Sequence, residues 1–531
     1  MTIVNIADGR LTGLVSAGGT VRSFRGVPYA RPPVGDLRWR PPLRHERWDG
    51  VRAATAFGPS APQPPVMDAI VGATYVPTAE DCLTLNVWTG AAEPDEHRPV
   101  LVWIHHGAFV FGGSSAALFD GEALARSGVV VVTVNHRLGR LGFLAHPALS
   151  AESPAATSGN YGLLDQIRAL QWIQENIGAF GGDPGCVTIC GLSAGSMSVS
   201  LLMASPLARG LFHRAIGESG GSFGPVGDST GISDSLQDLG GAERAGEQLA
   251  HTLAARTADD LRACSVEALV AADAGAAAEA WQFGGVPFRR GDFDSGFPIV
   301  DGHVISEAPY DTFAQGRQAD VPLITGSAAG EESGMPYMTE AADFVADAHA
   351  EYGPDADAFL ALYPPDGPGG ARAASSQSNG DRVFVWQNWT WANLHGATAS
   401  APAFYYHFAH VPPVAAAADP GPLPQGVAYH GSEVAYIFGT QGVRAWPWRP
   451  VDRELANTIS GYWAAFARTG DPNGGGRPAW NRFDPSRPAL MRFEDRAAPA
   501  QIPLPERLAF WDRFYAERRS QPAMPTAARD A

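Results

Sequence analysis

The sequence predicts an α/β fold with a mostly parallel central sheet wrapped by helices. Apolar, β-branched runs without polar alternation occur at Val100–Ile104 and Val129–Val134, and such runs are typical of strands buried on both faces of a parallel sheet. Between them, Ala116–Arg126 has helical spacing, which completes a β-α-β unit. The run Val187–Cys190 predicts another buried strand, followed by a glycine turn and an apolar helix over Ser196–Ala204.

Other elements extend this alternation in both directions along the chain. The first 60 residues are rich in turn residues and predict one short strand, around Phe24–Ala30. The spacing of apolar residues over Leu163–Ile173 predicts a helix, which the glycines downstream bring to an end. Further strands are predicted at Cys82–Trp88, Val321–Gly326 and Ala403–Phe408.

The whole chain, residues 1–531, is predicted to form a single domain. Two Ala-rich segments with helical patterning, at about 225–320 and 335–400, interrupt the β-α alternation. We therefore expect them to be insertions that lie over the C-terminal edge of the sheet as a lid. Residues 518–531 are predicted to form a flexible tail.

The composition restricts the classes of function that this chain can have. Hydrophobic residues make up 45% of the 531 residues and charged residues only 18%, which excludes intrinsic disorder for most of the chain. The formal net charge is −17, and all 38 basic residues are arginine. Because an acidic surface repels phosphate backbones, nucleic acid is not an expected partner. No stretch approaches 18 uncharged apolar residues, so no membrane span is expected.

The cysteines and the N-terminus indicate where the protein works. Four cysteines in a chain of this length do not form a disulfide framework, and their spacing is not that of a metal site. Reduced thiols in a reducing compartment are the expectation. Residues Met1–Leu14 lack a basic region followed by an apolar run, so no signal peptide is predicted. A cytoplasmic location follows as a prediction.

The strongest chemical signal is the pentapeptide Gly191-Leu192-Ser193-Ala194-Gly195. It lies between a predicted buried strand and a predicted helix, the context that makes a G-x-S-x-G pattern a nucleophile elbow. The sharp turn would expose the Oγ atom of Ser193, and small residues on either side would avoid clashes. The N-terminus of the following helix would favour negative charge developing at that point. The pattern therefore predicts that Ser193 is a nucleophile.

A nucleophilic serine needs a base, and the base needs an acid that orients it. In an elbow of this kind the chain order is serine, then acid, then histidine. Downstream of the predicted strand at Val321–Gly326, Glu331 and Glu332 stand just past the sheet edge, and either could be the acid. The chain has 14 histidines. Of these, His430 is selected because it follows the acids in the required order and lies between a loop and an apolar, helix-like run.

Several segments resemble the type-B carboxylesterase family of the α/β-hydrolase fold, which includes cholinesterases and bacterial para-nitrobenzyl esterases. Glu80–Trp88 is similar to one family signature, and Phe180–Pro184, continuing to the elbow, is similar to the other. Gly159–Gln166 and Gly470–Asn473 are also family-like, so the resemblance covers nearly the whole chain. It implies a serine carboxylesterase with a triad, whose members are Ser193 as nucleophile, Glu331 as acid and His430 as base.

The resemblance also implies where the oxyanion is held. In this fold the loop after an early strand and the amide that follows the nucleophile supply the hydrogen-bond donors. The loop here is Trp103–Phe109, and family members carry three small residues before its phenylalanine. On that match, the N–H groups of Gly107, Ala108 and Ala194 form the oxyanion hole.

His106 departs from the family pattern, because it stands where relatives have the first glycine of this loop. A residue with a side chain fits there only if its φ angle stays negative. One interpretation is that His106 packs against its neighbours and narrows the acyl-binding space. The alternative is an accessory role, in which its imidazole lies near Ser193 and orients water or stabilises charge.

Three further positions bear on the site. Leu192 stands where the family has a glutamate before the nucleophile, which removes a carboxylate from the pocket. Ala61 stands about where the family has the cysteine that pairs with the equivalent of Cys82, in agreement with a reducing compartment. Ser219 lies in a segment that resembles the family's surroundings of the active site, where its hydroxyl could donate a hydrogen bond to the catalytic acid.

The predicted activity is hydrolysis of carboxylic esters through an acyl-enzyme intermediate. The alternatives are an acyl transferase, or an amide or carbamate hydrolase, that uses the same triad. A non-catalytic, cholinesterase-like interaction protein is a third possibility, which the presence of all three triad residues disfavours. No cofactor and no metal are expected. The expected partner is a small-molecule ester, and the expected assembly is a monomer or a small homo-oligomer.

Overall fold

The computed structural model describes residues 2–65, 70, 72, 75, 77–227, 235–272, 281–283, 286–288, 295–414 and 423–520. A 13-stranded sheet runs through its centre. The strands, numbered in chain order, are β1 (Thr2–Ile6), β2 (Gly9–Val15), β3 (Arg22–Pro28), β4 (Val51–Ala53), β5 (Thr84–Thr89), β6 (Arg98–Ile104), β7 (Val130–Val134), β8 (Gly182–Leu192), β9 (Arg214–Glu218), β10 (Gln237–Asp238), β11 (Trp281–Phe283), β12 (Val286–Phe288), β13 (Ile299–Val300), β14 (Leu323–Ala328), β15 (Ala403–Phe408), β16 (Ala489–Phe493) and β17 (Ala497–Gln501).

Helices cover the sheet. In chain order they are α1 (Glu122–Arg126), α2 (Gly139–Phe143), α3 (Pro147–Glu152), α4 (Tyr161–Asn176), α5 (Ala194–Ala204), α6 (Leu239–Thr252), α7 (Ala258–Ala263), α8 (Val266–Ala271), α9 (Pro309–Ala314), α10 (Ala341–Tyr352), α11 (Ala356–Leu362), α12 (Gly370–Gly380), α13 (Trp386–Thr398), α14 (Val434–Phe438), α15 (Pro450–Thr469) and α16 (Pro505–Ser520). A single π-helical turn, Asp381–Val385, joins α12 to α13.

The centre of the sheet is parallel and its flanks are antiparallel. Seven parallel strands follow the spatial order β7-β6-β8-β9-β14-β15-β16. Antiparallel strands extend one side in the order β5-β3-β2-β1, and β17 extends the other. This is the mostly parallel sheet that the sequence predicts. The carboxyl ends of the parallel strands meet at one edge, which is where α/β sheets hold their sites.

Residues of the central strands are buried on both faces, which explains their unbroken apolar runs. All five residues of β7 are buried, as are all but the first residue of β6. Burial on both faces removes apolar surface from water along the whole strand, and each buried methylene contributes about 0.8 kcal/mol. The predicted strands at Val100–Ile104 and Val129–Val134 are therefore confirmed, with bounds that shift by one or two residues.

The N-terminal region differs from the prediction. In place of one short strand, the first 60 residues form four, β1 to β4. β1 and β2 lie towards the edge of the sheet and bury only a few side chains each. Their glycine, threonine and arginine residues give little apolar signal, because these strands depend on pairing with neighbours more than on burial.

The predicted helix at Ala116–Arg126 is divided into two short pieces. A 3-10 turn spans Ala117–Phe119, and α1 begins at Glu122. Between them, the carboxylate of Asp120 accepts a 2.9 Å hydrogen bond from the N–H of Glu122, an arrangement that competes with helix continuation. The helical spacing of the apolar residues is real, but this local side-chain bond interrupts the helix.

Both segments predicted as insertions connect strands that are neighbours in the sheet. The chain forms α6 to α9 between β9 and β14, and α10 to α13 between β14 and β15. Parts of the first segment (228–234, 273–280, 284–285 and 289–294) lie outside the described residues. So do residues 521–531 of the predicted tail, while α16 extends to Ser520. In the described part of the chain, no helix combines the length and apolarity that crossing a bilayer requires.

One buried histidine makes the stability of the fold depend on pH. His395 in α13 is fully buried, and burial lowers the pKa of its imidazole from 6.5 to about 4. The unfolded chain therefore binds a proton at this residue at a pH where the folded protein does not. This contribution to stability is fully present above pH 6.5 and is lost as the pH falls from 6.5 to 4.

We predict that His395→Gln flattens the pH dependence of stability. Between pH 7 and pH 4.5, the unsubstituted protein should lose about 2 to 3 kcal/mol of unfolding free energy through this residue alone. Chemical denaturation at both pH values measures the loss for the two proteins. An equal loss in both proteins would show that His395 does not carry the effect.

Candidate active site

The tightest turn at the sheet edge joins β8 to α5 and carries Ser193. Ser193 has φ 57° and ψ −122°, a region that residues with side chains rarely adopt and that costs of order 1 to 3 kcal/mol. The backbone around it is closely packed. A Cβ atom on Gly191 would lie 2.5 Å from the carbonyl carbon of Gly195, and a Cβ atom on Gly195 would overlap the carbonyl oxygen of Ile104. Small residues are thus required on both sides, as the sequence predicts.

The loop after β6 has an unusual backbone. Gly107, Ala108 and Phe109 all have positive φ, at 116°, 50° and 61°. A Cβ atom on Gly107 would overlap the carbonyl oxygen of Phe111, whose own N–H donates a 3.0 Å hydrogen bond to Gly107. The loop therefore turns back on itself between Gly107 and Phe111. It lies beside the serine because Ile104, the residue at which the loop begins, packs against Gly195.

The N–H groups assigned to the oxyanion hole come from these two turns. Ala194 is the first residue of α5, and the first N–H groups of a helix have no acceptor within the helix. Gly107 and Ala108 stand on the loop that packs against the elbow. The helix N-terminus also adds a partial positive charge, which favours an anion at this point.

His430 and Glu331 are joined by a short hydrogen bond. The Nδ1 atom of His430 lies 2.6 Å from Oε2 of Glu331, and both side chains are 2% exposed. The other carboxylate oxygen of Glu331 accepts a 2.7 Å hydrogen bond from the N–H of Ala328. Because both oxygens are engaged, the carboxylate has a fixed orientation towards the imidazole. The bond to Nδ1 directs the remaining ring nitrogen, Nε2, away from the acid.

The two loops that carry the acid and the base are held together through their backbones. Gly330, next to the acid, forms a parallel bridge with Tyr429, next to the base. The N–H of Gly330 donates a 2.9 Å hydrogen bond to the carbonyl of Ala428. The loop after β14 and the loop after β15 therefore form one unit, although almost 100 residues separate them in the chain.

The structure resolves the ambiguity between the two adjacent glutamates. Glu331 makes the contact with His430, whereas Glu332 is only partly buried. Burial raises the pKa of the Glu332 carboxyl. Of the two glutamates, Glu331 is therefore the one that contacts the imidazole, and its role as the acid stays a prediction.

His106 packs among aromatic rings. It is 1% exposed, and its ring meets Phe111 and Phe119 edge to face, with centroids 6.2 and 5.8 Å apart. Its φ angle is not among the positive ones, as the sequence predicts for a residue with a side chain at this position. This geometry matches the packing interpretation, and an accessory role beside Ser193 stays a prediction.

The expectation for Ser219 is wrong. Its hydroxyl is buried and makes no hydrogen bond to Glu331 or to any other residue that the structure describes. Its backbone has φ 54°, and its N–H donates a 2.8 Å hydrogen bond to the carbonyl of Gly326. Ser219 therefore joins the end of β9 to β14 through its backbone.

Two buried carboxyl groups near the triad were not identified from the sequence. Glu218 accepts a 3.0 Å hydrogen bond from the indole N–H of Trp463, and Glu433 accepts one of 3.3 Å from the hydroxyl of Tyr406. Burial raises the pKa of Glu433 to about 7, with a further contribution from the charge of Glu331. Burial also raises the pKa of Glu218 well above its usual value. The sequence held one sign of Glu218, because an acidic residue at the end of an otherwise apolar strand is unusual.

Aliphatic side chains lie between the turn that carries Ser193 and the loop that carries His430. A Cβ atom on Gly431, next to His430, would lie 2.8 Å from Cδ2 of Leu192 and 3.1 Å from Cγ2 of Ile70. Leu192, the residue before the nucleophile, therefore directs an aliphatic side chain towards the histidine loop. Within the described ranges, no group of histidine, cysteine or acidic side chains is arranged to hold a metal ion.

The sequence is similar to those of known esterases. The profile of the carboxylesterase family matches residues 1–511. The fumonisin B1 esterase of Sphingopyxis macrogoltabida is 35% identical over 492 residues, which are 90% of this chain and 84% of that protein. The para-nitrobenzyl esterase of Bacillus subtilis (strain 168) is 35% identical over 489 residues, which are 89% of this chain and 90% of that protein.

The structure is also similar to solved structures of esterases. A para-nitrobenzyl esterase structure superposes with a TM-score of 0.79 at 28% identity and covers 96% of this chain and 99% of its own. A carboxylesterase of Geobacillus stearothermophilus superposes with a TM-score of 0.77 at 31% identity, over 96% of this chain and all of its own, 100%. These structures are α/β-hydrolases, so the predicted fold class is confirmed.

We predict that Gly107→Ala reduces kcat/KM for p-nitrophenyl acetate by about 100- to 1000-fold, the usual cost of losing an oxyanion-hole donor. The added methyl group would overlap the carbonyl of Phe111 and displace the loop. Gly210→Ala is the matched control, because Gly210 also has positive φ, at 77°, but has open space around it. Steady-state kinetics and melting temperatures of both variants test the prediction, and equal losses of activity would contradict it.

Proposed function

Because this chain belongs to the carboxylesterase family and is a carboxylic ester hydrolase, we propose that it cleaves esters through an acyl-enzyme on Ser193. In this proposal His430 is the general base, and Glu331 orients it. The amides of Gly107, Ala108 and Ala194 bind the oxyanion. All of these groups stand on turns at one edge of the sheet.

Acylation begins when the Oγ atom of Ser193 attacks the ester carbonyl. His430 removes the proton of the hydroxyl through Nε2, since Nδ1 is engaged with Glu331. The imidazolium that results is stabilised by the buried carboxylate of Glu331. The carbonyl oxygen becomes an oxyanion that the three amides bind more strongly than the ground-state carbonyl. His430 then gives its proton to the leaving alcohol, and the acyl group stays on Ser193.

Deacylation repeats these steps with water as the nucleophile. His430 removes a proton from the water, which attacks the acyl carbonyl, and the same amides bind the second oxyanion. When this intermediate collapses, the proton returns to Ser193 and the carboxylic acid leaves. No redox step occurs, and the chemistry needs only the groups of this chain, one ester and one water.

The observation that supports this proposal most directly is the 2.6 Å hydrogen bond between His430 and Glu331. In a buried site such a bond selects one tautomer, with the proton on Nδ1 and a lone pair on Nε2. It also makes the imidazolium less costly to form. The second oxygen of that carboxylate accepts a hydrogen bond from the N–H of Ala328, so the acid keeps one orientation towards the ring.

The surroundings of the triad favour esters of uncharged alcohols. Leu192 and Ile70 present aliphatic side chains next to the histidine loop, and Phe384 lies over the imidazole. A cationic alcohol would lose hydration there without gaining a carboxylate partner from position 192. Two relatives with 35% identity are named fumonisin B1 esterase and para-nitrobenzyl esterase.

We further propose that the protein works in a reducing compartment, the cytoplasm. All four cysteines are unpaired, and Ala61 stands where secreted relatives have the partner of Cys82. Cys82 is fully buried, and burial raises the pKa of its thiol, so it stays protonated and unreactive. Every proposed catalytic group comes from one chain, which is compatible with a monomer or a small homo-oligomer.

We predict that Glu331→Gln lowers kcat for p-nitrophenyl acetate by about 1000- to 10,000-fold, because the imidazole would lose its orienting charge and its preferred tautomer. Glu332→Gln is the matched control. It changes the adjacent glutamate in the same way, but that side chain does not contact His430. Its kcat should stay close to that of the unsubstituted protein.

Steady-state kinetics at neutral pH distinguish the two glutamates, with circular dichroism as a check of folding. Ser193→Ala should remove all activity above background. If Glu332→Gln lost as much activity as Glu331→Gln, the assignment of the acid would be wrong. If Ser193→Ala kept its activity, the acyl-enzyme mechanism would be wrong.

A further inference from the structure

The imidazole of His430 is covered on one face by an aromatic ring. The rings of Phe384 and His430 are stacked, with centroids 4.2 Å apart and an interplanar angle of 29°. Phe384 is 5% exposed, so almost none of its ring surface is open to a bound substrate. The two side chains are 46 positions apart in the chain, so their contact could not be predicted from local sequence patterns.

An irregular helical turn places Phe384 there. Residues Asp381–Val385 form the π-helical turn between α12 and α13. Such turns are rare in proteins overall, and those that occur are often found at functional sites. They shift the residues that follow out of the phase of the preceding α-helix, so the face that Phe384 presents differs from the one a continuous α-helix would give.

The same segment also touches the loop that carries the acid. A Cβ atom on Gly380, the last residue of α12, would lie 2.8 Å from the backbone nitrogen of Glu332 and 2.9 Å from the carbonyl carbon of Glu331. Only glycine allows this approach. The chain therefore contacts the acid loop through Gly380, just before the π-helical turn, and the base through Phe384, within the turn.

The beginning of the π-helical turn is anchored to the C-terminal helix. The carboxylate of Asp381 accepts hydrogen bonds of 2.8 Å from the hydroxyl of Tyr363 and 3.1 Å from the guanidinium of Arg507. The hydroxyl of Tyr363 in turn accepts a 3.0 Å hydrogen bond from the indole of Trp511. These contacts fix the backbone at the start of the turn, three residues before Phe384.

Phe384 also belongs to a small apolar cluster of its own. The cluster consists of Met335, Val383 and Phe384 and is separate from the large cores on the two sides of the sheet. Met335 follows the acid loop closely in the chain. The cluster therefore lies close to the proposed triad. Because it is separate from the two large cores, a substitution at Phe384 should affect the stability of the fold less than one inside those cores.

We propose that Phe384 is a positioning residue for the general base. The hydrogen bond from Nδ1 to Glu331 fixes one point of the imidazole but leaves the ring free to rotate about that bond. Stacking against Phe384 fixes the plane of the ring and with it the direction of Nε2, which must face Ser193 for the proposed chemistry. This inference rests on the proposed function, since it requires His430 to be the base.

Three variants test the role of the ring. Phe384→Leu keeps an apolar side chain but removes the flat face, Phe384→Tyr keeps the flat face, and Val383→Ala removes bulk from the same turn and cluster as a matched control. For Phe384→Leu we expect kcat to fall by about 10- to 100-fold with KM unchanged, because a misaligned base slows proton transfer. The factor should be equal for p-nitrophenyl acetate and p-nitrophenyl butyrate. Phe384→Tyr and Val383→Ala should keep most of kcat.

Reaction with a fluorophosphonate separates positioning from a merely structural role. The endpoint of labelling counts folded, competent sites, whereas the labelling rate reports how well the base activates the serine. We expect Phe384→Leu to reach the endpoint of the unsubstituted protein at a rate lowered by the same factor as kcat. A lower endpoint with an unchanged rate would mean that Phe384 only supports folding.

Other outcomes would also overturn the inference. A loss confined to KM, or one that changes with acyl length, would make Phe384 a wall of the substrate pocket. An unchanged Phe384→Leu together with an inactive Ser193→Ala would refute the positioning role and leave the triad intact. If Ser193→Ala kept its activity, the proposed function itself would have failed, and the two failures are thus distinguishable.

Discussion

The site depends on the close contact of backbones at the turn after β8. Ser193 can hold its strained backbone only because glycines at 191 and 195 let the two sides of the turn touch, and because Gly195 packs on the carbonyl of Ile104. Ile104 is the last residue of β6, and the loop proposed to bind the oxyanion begins immediately after it. The same contact therefore sets the position of the nucleophile and that of the oxyanion donors. A side chain added at either glycine would displace both.

The buried charges around the histidine follow a consistent pattern. Glu331 and Glu433 lie near the imidazole of His430, and the buried carboxyl group of Glu218 interacts electrostatically with Glu433. Burial and the charge of Glu331 raise the pKa of Glu433 to about 7, and burial raises the pKa of Glu218 well above its usual value. Glu331 differs from both, because its two oxygens are engaged by the N–H of Ala328 and by the imidazole of His430.

Local sequence patterns were enough to predict the tight turn after β8 and the parallel strands, and to propose a chain order for the triad residues. Ser193 and the strand before it form a continuous segment, so their relation is visible in the sequence. The choice between Glu331 and Glu332 required the structure, because adjacent residues differ only in the direction of their side chains. The stacking of Phe384 on His430 and the burial of Glu218 and Glu433 depend on contacts between distant segments. Edge strands such as β1 and β2 were missed because they bury little apolar surface.

The most direct test of this account is to label the folded protein with a fluorophosphonate, then to measure its intact mass and map the modified peptide. The account predicts one adduct per chain, located on Ser193, together with loss of esterase activity in proportion to labelling. An adduct on a different residue, or continued ester hydrolysis by fully labelled protein, would contradict it.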